Sequence, residues 1–327
     1  MTTLTLSKAL NEGLRKALEN NPKALIMGED VGKLGGVFRV TDGLQKDFGE
    51  ARVIDTPLAE SGIIGTAIGL ALRGYRPICE IQFDGFVFPA FDQIVTQLAK
   101  MRYRSLGSLS LPIVVRIPFG GGIGAVEHHS ESPEALFAHT PGLRVVSCGD
   151  PADAYTMIQQ AAISDDPVMF FEPKRRYWDK ADVDVEGGLA AALPMDSARV
   201  LVPGTDVTVL CYGPMVRTCA ETAVAAASDG RSLEVIDLRS LAPLDTATIF
   251  ASVRKTGRCV VVHEAVVTGG IGAEIAARVT QECFYSLEAP VLRVGAYSTP
   301  YPPSRLEDYY LPDLDRILDA VDRTFGY

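Results

Sequence analysis

The sequence predicts an α/β protein of two three-layer α/β/α domains with mainly parallel sheets, and three observations predict it. Continuously apolar segments of strand length recur between stretches of helical periodicity, the pattern of a parallel sheet covered on both faces. The alternation lapses between residues 173 and 206, where a charged turn gives way to Gly, Pro, Ala and Asp with little period. It then resumes. The division that follows is a first domain over residues 1–188, a linker over 189–205 and a second domain over 206–327. A chain of 327 residues is long for one core and comfortable for two.

Leu6, Leu10, Leu14, Ala17 and Leu18 share one helical face, so the chain opens with an amphipathic helix over 6–20. A buried strand over 24–28 ends in Glu29-Asp30 and a glycine-rich loop, 32–43. A strand over 52–55 leads through a turn stiffened by Pro57 into a helix that begins at Glu60 and carries no further charge until Arg73. Gly62, Gly65 and Gly69 lie inside that helix, each at a cost of roughly 1 kcal/mol against Ala. Another backbone packed very close would offset them. The first domain continues with a strand over 77–83, a helix over 88–104, a strand over 112–117, a helix over 151–164 and a strand over 167–172. In the second, strands over 207–212, 233–238, 258–263 and 291–294 alternate with helices over 214–228, 245–256 and 271–285. A closing helix over 312–325 places Pro312 in its first turn.

Composition narrows the function. Hydrophobic content of 47% and charged content of 22% describe an ordinary globular protein. A net charge of −10 leaves no basic stripe to displace counterions from nucleic acid. The chain start lacks a charged segment followed by an apolar run, and no apolar stretch reaches the ~20 residues of a membrane span, so a cytoplasmic protein is expected. Cys79, Cys148, Cys211, Cys219, Cys259 and Cys283 are scattered without a C-x-x-C pair, as reduced core residues are.

Several motifs carry chemistry. Glu60 reads, on spacing alone, as a first-turn complement to the helix dipole. Phe83, Phe86, Phe88 and Phe91 place four aromatics in nine residues, a pattern that ordinary core also produces. Gly120–Gly124 fits neither G-x-G-x-x-G nor the P-loop pattern and is better suited to a tight backbone approach. Adjacent His128 and His129 do not converge on a single metal ion. The Gly269–Gly272 cluster follows a strand but sits far from the first βαβ unit, where a dinucleotide fingerprint belongs.

The run Thr56-Pro57-Leu58-Ala59-Glu60-Ser61-Gly62 resembles the signature of beta subunits of thiamine-diphosphate-dependent 2-oxoacid dehydrogenases, in the transketolase-like superfamily. Motif order and length agree from about Leu4 to Ile317. The resemblance implies a transketolase pyrimidine-binding domain followed by a transketolase C-terminal-like domain. It implies that Glu60 hydrogen-bonds N1′ of the cofactor's aminopyrimidine, favouring the imino tautomer that takes the proton from the thiazolium C2. Phe86 matches the aromatic that stacks on that ring, a place several relatives fill with Tyr. Gln82 matches a polar residue beside the cofactor, and Leu58 one whose backbone faces the pyrimidine. His-Ser-x-Ser-Pro-Glu, followed by Ala-x-x-Ala-His139, matches the active-site loop and puts His129 opposite C2. A neutral imidazole suits proton traffic there. His128 and His139 are then structural or at a subunit contact. Leu111, Ile113 and Val114, with the turn at Asp165, match a cradle for a structural potassium ion, held mostly by backbone carbonyls; a surface turn is the other reading of Asp165.

The superfamily holds the diphosphate through magnesium, with a Gly-Asp-Gly motif followed at a distance by Asn. This chain has no Gly-Asp-Gly: Phe83-Asp84-Gly85, Thr41-Asp42-Gly43 and Ser228-Asp229-Gly230 each lack the leading glycine. The expectation is therefore no magnesium site on this chain. Thiamine diphosphate would be shared with an alpha subunit that holds the magnesium, in an α2β2 heterotetramer. By the same resemblance the reaction is oxidative decarboxylation of a 2-oxoacid, with the acyl group passed to a lipoyl domain on a dihydrolipoyl acyltransferase core. The stretch His128–Glu134 resembles branched-chain enzymes more than pyruvate ones, and pyruvate is the alternative substrate. A self-sufficient transketolase or deoxyxylulose-phosphate synthase would need its own magnesium motif. A non-catalytic assembly subunit would have lost Glu60 or His129.

Overall fold

The computed structural model describes residues 1–327. Its strands are, in chain order, β1 (Thr2–Thr5), β2 (Ala24–Gly28), β3 (Val53–Asp55), β4 (Arg76–Glu80), β5 (Val114–Phe119), β6 (Arg144–Ser147), β7 (Val168–Pro173) and β8 (Lys180–Val183). The second half adds β9 (Arg199–Val202), β10 (Val207–Cys211), β11 (Leu233–Asp237), β12 (Ser240–Ala242), β13 (Cys259–Val266) and β14 (Leu292–Ala296). The large sheet runs β12-β6-β7-β5-β4-β2-β3 and the second β14-β13-β10-β11-β9. Both are parallel except at one edge, where β12 and β9 run antiparallel to their neighbours. β1 and β8 form a separate two-stranded ribbon.

Each sheet is apolar on both faces, which is why its strands read as continuous hydrophobic runs. On one side of the large sheet the Leu6–Asn20 and Pro151–Ile163 helices pack together, Gly13 allowing the close approach to Tyr155. On the other side, one buried cluster runs from Met27 and Phe171 through to Tyr212, Ile236 and Val279. The two halves therefore share a core.

Four sequence expectations change. The stretch 189–205 is not all connector, because β9 lies within it and joins the second sheet beside β11. β12 comes from the second domain yet completes the first domain's sheet against β6. The helix over 88–104 is broken into a 3₁₀ segment, Asp84–Ala90, a π-helical turn, Gln93–Leu98, and a last turn, Met101–Arg104. Pro89 inside the first piece removes an N–H donor and favours that break. The closing helix runs Leu314–Arg323, with Asp313 as its cap accepting from the Arg316 N–H at 2.8 Å, so Pro312 precedes the cap. All six cysteines are buried and unpaired. No helix is long and apolar enough to cross a membrane.

Candidate active site

In open parallel sheets, ligand sites form beyond the carboxyl ends of the strands. Here β2 delivers Glu29, β3 leads to Leu58 and Glu60, β4 leads to Gln82 and Phe86, and β5 leads to the loop bearing His129. The Glu60–Leu72 helix packs on the 84–90 segment, which packs on the Glu127–His129 turn. The predicted residues thus lie along one rim.

Glu60 is the first residue of its helix and 6% exposed. Its carboxylate enters none of the chain's side-chain hydrogen bonds or ion pairs, and no side chain caps this helix. Burial, with the Glu60 and Asp30 carboxylates, raises the nearby Glu29 carboxyl above its ordinary value. Sequence reasoning missed Glu29; its only signal is a charge at the end of a buried strand. Leu58 projects from the preceding turn, 79% exposed. The Gln82 amide donates to the Asp30 carboxylate at 3.1 Å.

The glycines of the Glu60–Leu72 helix give an unexpected result. A Cβ added at Gly65 or Gly69 would meet nothing within 4 Å, so no backbone of this chain packs on them. With Ser61, Gly62 and Thr66 they form an exposed strip of small residues beginning one residue from Glu60. No segment of this chain fills the place of the close partner that the sequence predicts.

Phe86 is half-buried and edge-on to His129, ring centroids 5.2 Å apart, and Phe83 lies against the same imidazole at 4.2 Å. Gly85 lets the chain pass here, because a Cβ would collide with the His128 backbone. The His129 Nδ1 is buried without a partner. Burial, then His128 and Lys174, hold this imidazole below its ordinary pKa, so it is neutral at pH 7. His128 and His139 are exposed.

Gly120–Gly124 does make a tight approach, and its occupants come from the second domain. Gly120, Gly122 and Gly124 have φ of 83°, 82° and 72°, turning successive N–H groups into one concavity. The Gly121 N–H meets Glu264, while those of Gly122 and Gly124 donate to the Glu307 carboxylate at 2.8 and 3.0 Å. The Tyr301 hydroxyl donates to Glu307 at 2.5 Å. A nest that elsewhere holds phosphate here holds two carboxylates of the same chain.

Under the rim, Arg116 forks onto Glu172 at 2.6 and 2.9 Å and reaches Glu80 at 2.6 Å, tying the ends of β4, β5 and β7 together. The Tyr177 hydroxyl also donates to Glu172, at 2.6 Å. All four side chains are buried, and removing one partner would strand a charge. A charged residue inside an otherwise apolar strand was the available signal.

At the residues matched to a potassium cradle, the backbone carbonyls of Leu111 and Ile113 each accept one hydrogen bond, which leaves a second lone pair on each oxygen. The Leu111 carbonyl accepts from the Ile113 N–H at 2.8 Å, and the Ile113 carbonyl from the Val168 N–H at 2.9 Å. Val114 is a β5 residue in parallel register with Ile78 and Val168. The Asp165 carboxylate pairs with Arg76 at 2.6 Å on the surface.

Residues 2–179 match the family model of the transketolase pyrimidine-binding domain, and residues 196–317 that of the transketolase C-terminal domain. The chain is 61% identical over 325 residues to the pyruvate dehydrogenase E1 component subunit beta of Leifsonia xyli, covering 99% of this chain and 96% of that one. It is 53% identical over 322 residues to the 3-methyl-2-oxobutanoate dehydrogenase subunit beta of Mycobacterium tuberculosis, covering 98% and 92%. Among solved structures, a split-gene transketolase described as an inactive beta4 tetramer superposes with a TM-score of 0.80 at 24% identity, covering 99% of this chain and 98% of that chain, a likeness of fold.

Proposed function

Because the chain belongs to the family of beta subunits of 2-oxoacid dehydrogenase E1 components, we propose that it supplies the pyrimidine half of a thiamine-diphosphate site completed by an alpha subunit. The activity is oxidative decarboxylation of a 2-oxoacid, with branched-chain substrates favoured and a lipoyl group on an acyltransferase core as acceptor. When bound, thiamine diphosphate supplies the nucleophile and the electron sink for decarboxylation.

The observation that carries this reading is Glu60, a largely buried residue whose carboxylate bonds no other group of this chain, set beyond a strand's carboxyl end where the open glycine strip begins. A carboxyl group there hydrogen-bonds a ring nitrogen from one side while the Leu58 backbone stays free to meet the same ring. Phe86 offers an aromatic face. His129, neutral and with an unpartnered ring nitrogen, accepts or returns a proton on the substrate side. The remaining diphosphate and its magnesium belong to the alpha subunit, in an α2β2 assembly. A potassium ion near Leu111, Ile113 and Val114 would be held by carbonyls alone, since the Asp165 carboxylate is committed to Arg76. No chemical step runs through it.

Pyruvate is the second reading, favoured by the name of the 61% identical relative. The His128–Glu134 stretch favours the first. A pocket separates chain lengths by only ~1–3 kcal/mol per methylene, so the preference is measurable but not absolute. Comparing kcat/KM for 3-methyl-2-oxobutanoate and pyruvate on the reconstituted pair is expected to favour the branched substrate by about tenfold or more; a preference for pyruvate would reverse the assignment.

A further inference from the structure

His129 sits above a buried ion pair that the chemistry described so far does not use. Asp84 and Lys174 are both 0% exposed, and their side chains meet directly. Lys174 Nζ also donates to the backbone carbonyl of His129 at 2.5 Å. The other Asp84 oxygen accepts the Glu131 N–H at 2.8 Å. The pair therefore grips the main chain at His129 itself and again two residues later. Lys174 Nζ lies 5.3 Å from the centroid of Phe83, the ring that packs on the His129 imidazole. The pair thus contacts both the backbone and the ring packing of one residue.

We propose that Asp84 and Lys174 are positioning residues for His129, holding its loop so that the imidazole stays wedged between Phe83 and Phe86 with a buried ammonium beneath it. The inference rests on the reading of His129 as the proton-handling group. The charged and titratable groups that face the ring are Lys174 and Asp84 from beneath, and His128 and Glu127 from its own turn. Of these, Lys174 and Asp84 are buried and bonded to the loop, and it is the ammonium that bonds at His129 itself. Burial pushes the Asp84 carboxyl up to about 6 and the Lys174 ammonium down, while their mutual attraction opposes both shifts.

The test uses the assembled enzyme with its alpha subunit. The double variant Asp84→Asn/Lys174→Met removes both charges together, so neither is stranded. Lys174→Gln keeps a donor without the charge. In the double variant kcat is expected to fall roughly tenfold to a hundredfold, the scale of a misplaced catalytic group. The acid limb of kcat/KM is expected to move to higher pH most in Lys174→Gln, where the cation has gone and the Asp84 charge remains, and less in the double variant, where both charges go. Lys174→Gln should retain the larger share of kcat. An acid limb that stays in place, whether or not turnover falls, overturns the proposal. So does failure of both variants to assemble, since the pair would then be holding the fold. His129→Asn separates the two claims: if it leaves turnover intact, the reading of His129 fails; if it abolishes turnover while the pair variants match wild type, only the positioning role fails.

Discussion

Glu60→Gln is expected to lower decarboxylation by the reconstituted pair about a hundredfold or more, the scale of a lost acid–base group, while assembly is unchanged. Gln keeps the volume of Glu and can still donate or accept a hydrogen bond. It cannot exchange a proton. The Glu60 side chain has no partner in this chain whose loss would perturb the fold, so packing around the start of the Glu60–Leu72 helix should survive. Single-turnover release of carbon dioxide measures the chemistry, and sedimentation of the mixed subunits measures assembly. Undiminished turnover would remove Glu60 from the mechanism.

The second large effect is expected on the same helix, with opposite signs in the two states. Gly65→Ala should stabilise the lone chain by up to ~1 kcal/mol, because an interior helical glycine becomes alanine and its Cβ meets nothing. Gly65→Leu, and likewise Gly69→Leu, should leave the lone chain folded but break association with the alpha subunit, since the strip would no longer admit a close backbone. Thermal unfolding of the single chain and sedimentation of the mixture read the two signs separately. Normal association of Gly65→Leu would mean that this face is not the shared surface.

The parts of the fold and site that were legible in the sequence were those written in local pattern. Continuous apolar runs located β2, β4, β5, β7, β10, β11 and β13, because strands covered on both faces need no alternation. β12 was not legible, since three residues on a sheet edge carry no period, and it crosses between domains. β9 was hidden for a similar reason in a stretch rich in Ala, Pro and Gly. Placement of Glu60, Phe86 and His129 on one rim followed from motif order. What held His129 did not: Asp84 and Lys174 are separated by 90 residues and meet only because β4 and β7 flank β5. The capture of Gly120–Gly124 by Glu264 and Glu307 was equally invisible, because the nest is a backbone property and its ligands lie in the other domain. The sequence around Gly65 and Gly69 demanded a close neighbour, and the fold left the place open.

Titration calorimetry with thiamine diphosphate and magnesium, on this chain alone and on the chain mixed with its alpha subunit, tests the division of the site most directly. Half a site should give no measurable heat of binding from the single chain and saturable binding from the mixture. Tight, magnesium-dependent binding by the single chain would contradict a coenzyme pocket split between two polypeptides.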